Sequence, residues 1–317
     1  MLPKPPKPKP ISLWRKENKR VTICAGFKSN FGVVLCADSQ ETVGAMKFDA
    51  PKLIVLPSHG EPDDQVRMAF AGAGDGPFID KLVEKMWDAA QRGPDMSHQQ
   101  VFERVEDANL EWHKKIWEVY GRENRPEANI LIGLYTPNEI SLYKATGPII
   151  TEVDSHAFVG IGEELGNFLA QHLRSGFDSL QEDVGISLYI LDNAKKFVDG
   201  CGGDTQIAAM MIDGSIQKMQ GWETDKLSDG LFAIGREVYA LFALAASRET
   251  TKKEIDDAAR GIVKYIHQYR AQMRKDVKKT IRVSPALQKS LQVFYRKIEW
   301  PPTKTKPSTP HTSEDQP

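Results

Sequence analysis

Residues 21–52 read VTICAGFKSNFGVVLCADSQETVGAMKFDAPK. Two short runs rich in Val, Ile, Leu and Cys, residues 21–27 and 32–37, flank Lys28, Ser29, Asn30 and Phe31. That composition predicts a β-hairpin. The strands are almost continuously apolar and do not alternate, as expected of strands covered on both faces. Thr22 stands at the start of the first strand, Asp38 at the end of the second, and Lys52 just before a third.

Outward from the hairpin, strands are predicted at 53–56, ending at Pro57, and at 66–71. The run Gly72-Ala73-Gly74-Asp75-Gly76-Pro77 predicts a sharp turn with Pro77 in the first turn of a helix. Ile79, Leu82, Val83, Met86, Trp87 and Ala90 then recur at helical spacing. Ser97 is placed to cap a second helix, with the stripe Val101, Val105, Ala108, Trp112, Ile116 and Val119. Strands follow at 129–134, 140–143 and 157–159. A helix is predicted after Gly162 and another over 184–198. A glycine turn at 199–204 leads to a hairpin of 206–212 and 216–219 about Asp213-Gly214. Residues 230–296 read as helical throughout.

Strands, two helices, strands, helices and strands in that order predict an α+β chain. The arrangement that buries all of them is a four-layer αββα sandwich: two packed sheets with outer helices, plus a helical C-terminal extension. The expected division is a disordered segment or propeptide at 1–20, a catalytic-type domain at 21–225, the helical extension at 226–298 and a disordered tail at 299–317.

The 317 residues carry 42 basic and 43 acidic side chains, a net charge of −1. Such balance argues against nucleic acid or an anionic membrane as partner. No apolar run has the length of a membrane span. The first twenty residues hold five prolines and seven Lys or Arg, with no apolar stretch of the signal-peptide kind. Cys24, Cys36 and Cys201 lack metal-ligand spacing and suit reduced, buried thiols. A cytoplasmic protein is expected. The seven histidines are scattered, and the glycines at 72–76 match neither phosphate-binding pattern, so no cofactor or metal is expected.

Three readings of residues 1–20 stand side by side: a flexible basic tail, a removable propeptide, or upstream sequence before a valine start codon at position 21. In the third, removal of the initiating residue exposes Thr22.

The chemistry at issue is that of a threonine hydroxyl, which needs a base to become a nucleophile. If Thr22 is first in its chain, its own α-amine, with a pKa of roughly 8, is that base. An ammonium such as Lys52 favours the ionised hydroxyl, and a carboxylate such as Asp38 holds that ammonium. Backbone N–H groups near Ala71 and Gly72 are candidates for an oxyanion hole.

Thr22-Ile23 with Gly32-Val33-Val34-Leu35-Cys36-Ala37-Asp38-Ser39 resembles the opening hairpin of the proteasome subunit family, including bacterial proteasome-like proteins of the N-terminal nucleophile hydrolase superfamily. The resemblance extends through Gln40 to Gly44, Lys52, residues 71–75 and residues 199–204. It covers about residues 21–220. It implies an αββα sandwich assembled as a homo-oligomeric ring, peptide or unfolded protein as substrate, and hydrolysis without a metal. Position by position it implies Thr22 as nucleophile and Asp38 as the acid pairing the catalytic Lys52. Asp199 matches the acid near the amine, and Gly72 or Ala71 the oxyanion donor. No residue here marks a regulatory ATPase partner.

The pattern is departed from in three places. Arg20-Val21 precedes Thr22 where self-cleaving members have glycine. Glu163 stands where a serine supports the amine, and Gly202 where a further hydroxyl is usual. Two functions are therefore open: a threonine-type peptidase, and a non-catalytic structural subunit acting in ring assembly.

Overall fold

The computed structural model describes residues 22–43, 46–57, 66–91, 96–121, 125–137, 139–174 and 179–280. The expectations for 1–20, 281–296 and 299–317 fall outside them. β1 (Ile23–Ser29) and β2 (Gly32–Asp38) form the expected hairpin, with Asn30 and Phe31 as its turn. Their sheet has the order β10-β1-β2-β11-β12, where β10 is His156–Gly160, β11 Thr205–Met211 and β12 Ile216–Gln220. A second five-stranded sheet runs β5-β6-β7-β8-β9: Leu53–Leu56, Arg67–Gly74, Ala128–Thr136, Glu139–Thr146 and Ile149–Val153. β3 (Gln40–Val43) and β4 (Met46–Asp49) make a separate ribbon. All pairings are antiparallel.

The two large sheets bury Cys24, Val33, Leu35 and Ala37 of the hairpin against Ala69, Ala71, Leu131 and Leu142 of the other sheet. The hairpin's opposite face meets α3 (Glu163–Leu173) and α4 (Leu180–Phe197). This double cover explains why the strands do not alternate. On the far side of the second sheet, α1 (Gly76–Ala90) and α2 (His98–Tyr120) pack through Phe78, Leu82, Met86, Val101 and Val105 onto Phe70, Ile130 and Ile132. The chain is thus an α+β sandwich of the expected layers.

Helix boundaries follow local chemistry. Asp75 caps α1 by accepting from the Phe78 N–H, with Pro77 in the first turn. Ser97 and Gln100 form a reciprocal capping box at α2. Ser179 caps α4 through the Glu182 N–H.

Some expectations shift. Gly72 and Gly74 belong to β6, not to a turn; Gly74 lies at φ +143°, where an added Cβ would come within 2.1 Å of the Glu127 carbonyl oxygen. In α2, Val101 and Val105 are buried and Trp112 and Ile116 pack against the same core as expected, but Asn109 and His113 are buried as well and Val119 is exposed. The ribbon β3–β4 and the strand β9 have no counterpart in the predicted elements. Beyond β12, α5 (Trp222–Ala246) and α6 (Lys252–Thr280) pack on each other, and the start of α5 rests on α4, β11 and β12. No helix among the described residues is long and apolar enough to cross a membrane.

Candidate active site

Thr22, Asp38 and Lys52 meet at one end of the sandwich. β1 and β2 lie in register as Cys24 with Ala37, so the residue before β1 sits beside the residue that ends β2. β5 begins at Leu53, opposite Ala71, which brings Lys52 to the same end of the other sheet. Thr22 is 3% exposed and Asp38 fully buried.

The three side chains form one closed set. The Lys52 ammonium donates to Thr22 Oγ1 at 2.5 Å, to Asp38 Oδ1 at 2.9 Å and to the Gln40 carbonyl. Its three N–H bonds are all used, which fixes a side chain otherwise free to rotate. The Thr22 hydroxyl donates to Asp38 Oδ1. Asp38 also accepts from the Ile23 N–H at 3.2 Å and, through Oδ2, from the Gly202 N–H at 2.9 Å. A buried carboxylate is expensive unless each lone pair is met, and here hydroxyl, ammonium and two amides meet them.

Residues given no role from the sequence hold this set in place. Gln206 Oε1 accepts from the backbone N–H of Lys52 at 3.1 Å and of Leu53 at 3.2 Å. Ser39 Oγ donates to Asp49 at 2.6 Å and accepts from the Asp204 N–H at 2.6 Å, tying the β3–β4 ribbon to the 199–204 turn. The Gln40 side chain donates to the Gly200 carbonyl at 3.1 Å. The signal available was position: Ser39 and Gln40 follow Asp38 directly, and Gln206 interrupts an apolar strand.

The remaining predicted residues lie at the margin of the set. The Gly72 N–H donates to the Lys52 carbonyl over 3.4 Å, and its own carbonyl lies 3.3 Å from Cys24 Sγ. Asp199 is exposed at the head of the glycine turn, outside the bonds around Thr22; Gly200 and Gly202 make that turn's contacts to the site. Glu163 pairs with Lys144 at 2.6 Å. At Gly202 a Cβ would come within 2.4 Å of Gln40 Oε1, so the glutamine fills the space a hydroxyl-bearing side chain would need.

The three cysteines are free and buried. Burial pushes the Cys24 thiol far up, and those of Cys36 and Cys201 to about 12. None is poised as a thiolate at neutral pH. Among the described residues, no group of His, Cys, Asp and Glu is arranged to hold a metal ion.

Solved structures share this architecture. An Anbu (Gly-1) mutant from Hyphomicrobium sp. strain MC1 matches with a TM-score of 0.58 at 13% identity, over 70% of this chain and 99% of that one. Anbu (ancestral beta-subunit) from Yersinia bercovieri matches at 0.58 and 14%, over 70% and 97%. A helical assembly of the Anbu complex from Pseudomonas aeruginosa contains a chain matching at 0.56 and 12%, over 69% and 96%. The chain thus shares the fold of these Anbu proteins.

No family model and no curated protein matches the chain. The expected membership of the proteasome subunit family is therefore corrected: the matching structures are Anbu proteins, which form a different family. The physical reason lies in the hairpin. An apolar strand covered on both faces is a packing requirement of the sandwich. Sequences only 12–14% identical share the fold.

Proposed function

We propose that the chain is a threonine-type amide hydrolase acting on peptides, with Thr22 as N-terminal nucleophile once its amine is exposed. The observation that carries this reading is the contact of the buried Thr22 Oγ1 with both the Lys52 ammonium at 2.5 Å and the Asp38 carboxylate. As the chain stands, Val21 makes the Thr22 nitrogen an amide. Cleavage of that bond, or initiation at position 21 followed by removal of the first residue, converts it into an amine.

That amine takes the proton from Oγ1, and Oγ1 attacks the substrate carbonyl carbon. The ammonium of Lys52 stabilises the negative charge on Oγ1, and Asp38 keeps Lys52 in place. The tetrahedral oxyanion receives the Gly72 N–H, which is held only by its long bond to Lys52. The proton passes to the leaving amine, an ester of Thr22 remains, and water hydrolyses it. Asp199 stands outside this hydrogen-bonded set. Assembly into a homo-oligomer completes the reading; the Anbu complex from Pseudomonas aeruginosa forms a helical assembly.

Intact-mass measurement of the purified native protein tests the first requirement. A chain beginning at Thr22 is expected, together with hydrolysis of fluorogenic peptides that Thr22→Ala abolishes. A retained Val21 would assign the same buried triad to a structural subunit, and equal activity in the variant would remove Thr22 from the mechanism.

A further inference from the structure

Lys195 is a half-buried cation that the reaction above does not use. It sits in the last turn of α4 and donates to Thr205 Oγ1 at 2.6 Å. Thr205 is 2% exposed, opens β11, and lies directly across from Asp38 in the ladder between β11 and β2. Its carbonyl accepts from the Thr224 hydroxyl of α5 at 3.2 Å. The residues just before it form the turn whose Gly202 N–H reaches Asp38 Oδ2, and the one just after it is Gln206, which holds the backbone of Lys52. One hydroxyl thus joins α4 to the strand that supports both charged partners of Thr22.

The surroundings of the Lys195 ammonium come from four elements. Asp192 lies on α4 itself, Asp38 ends β2, Asp225 lies on α5, and Asp204 closes the turn before β11; the thiols of Cys36 and Cys201 complete them. Burial lowers the affinity of the amine for its proton, and these carboxylates oppose that. A half-buried ammonium gives up part of its hydration to reach the Thr205 hydroxyl, and that contact fixes where it sits.

We propose that Lys195 is a positioning residue for the reaction assigned to Thr22: through Thr205 it fixes the start of β11 against Asp38, so that the Gly202 N–H and Gln206 hold Asp38 and Lys52 on the threonine hydroxyl. This rests on the proposed role of Thr22. The brace itself is a separate physical claim and can be read without turnover.

The test uses the full chain with Lys195→Met, Lys195→Arg and Thr205→Val, each compared with wild type. In Lys195→Met the amides of Gly202 and Asp204 exchange hydrogen at least ~10-fold faster, while those of β7 keep their wild-type rates. For peptide hydrolysis, kcat falls about 10–100-fold with KM nearly unchanged, since substrate contacts are intact. Lys195→Arg restores most of both. Thr205→Val, which keeps the charge and removes the contact, reproduces the loss even if Lys195→Met fails to fold. Wild-type exchange at Gly202 and Asp204 in both variants would overturn the brace. Faster exchange with unchanged kcat would reduce it to a packing contact and overturn the positioning role. If wild type hydrolyses nothing, the role of Thr22 fails, and the exchange comparison still decides whether Lys195 braces the turn.

Discussion

The sandwich and the α5–α6 pair are both rich in apolar residues, yet they use them differently. In the sandwich, Leu35 and Leu131 are fully buried between the sheets, and Phe158 is fully buried in the first sheet. In the second half of α5, Tyr239 and Phe242 are 79% and 70% exposed, and the residues around them are mostly open. α6 covers only one side, through Ile262 and Tyr269. A strand in a four-layer stack has two faces to satisfy, whereas a helix needs one. The contrast explains where a charged site can be held: only the doubly covered end of the sheets gives Asp38 and Lys52 fixed partners on all sides.

The largest effect expected on this contrast concerns chemistry without stability. Thr22→Ala should lower peptide hydrolysis by roughly 10³-fold or more, as loss of a covalent nucleophile does. Its thermal midpoint should stay within a few degrees of wild type; a large drop would mark Thr22 as a packing residue. Next comes removal of the buried acid. Asp38→Ala leaves the Lys52 ammonium without its carboxylate and should cost roughly 3 kcal/mol, near the low end for a broken buried pair because Lys52 keeps some contact with solvent. Urea denaturation measures this, and a loss below about 1 kcal/mol would mean that water replaces the pair.

Comparable in size is truncation of the inter-sheet core. Leu35→Ala should cost about 2–5 kcal/mol, while Phe242→Ser on the exposed face of α5 should stay within about 0.5 kcal/mol in the isolated chain. Equal losses at the two positions would erase the contrast. The smallest effect is in pH. Burial lowers the affinity of His98, His113 and His156 for a proton below the usual histidine range. The unfolded chain therefore binds more protons, so stability is fully present above about pH 6.5 and declines as pH falls toward the folded values. The His113 ring donates from Nδ1 to the Asn109 carbonyl at 2.9 Å, and its Nε2 has no partner. His113→Leu should flatten part of the decline in urea midpoint between pH 7.5 and 5.5. An unchanged slope would exclude His113 as a contributor.

The residues themselves made much of this visible. The apolar hairpin, the helical stripe of α1 and the cap at Ser97 are local features, set by backbone sterics and side-chain reach within a few positions. Resemblance then singled out Thr22, Asp38 and Lys52, which spacing alone does not distinguish. What stayed hidden had no local cause. The β3–β4 ribbon, QETV and MKFD, pairs only with itself and is exposed along β4, so it carries no apolar alternation. Gly72 and Gly74 read as turn residues because glycine signals freedom, but here close approach to Ile79 and Glu127 requires a small residue within a strand. The inward face of α2 drifts to Asn109 and His113 because the helix end packs on the Gly147 turn, whose carbonyl takes the Asn109 amide.

By itself, then, the sequence determined most of the elements and their layer order, and its resemblance marked the three side chains that could carry amide hydrolysis. Only tertiary structure decided their company. Three N–H bonds on Lys52, four donors on Asp38, Gln206 beneath Lys52 and Lys195 behind Thr205 come from five separate elements. Hydrogen bonds act over about 3 Å; residues as far apart as 38 and 202 come within that distance only when β11 pairs with β2, and Lys52 reaches them only when the second sheet packs on the first.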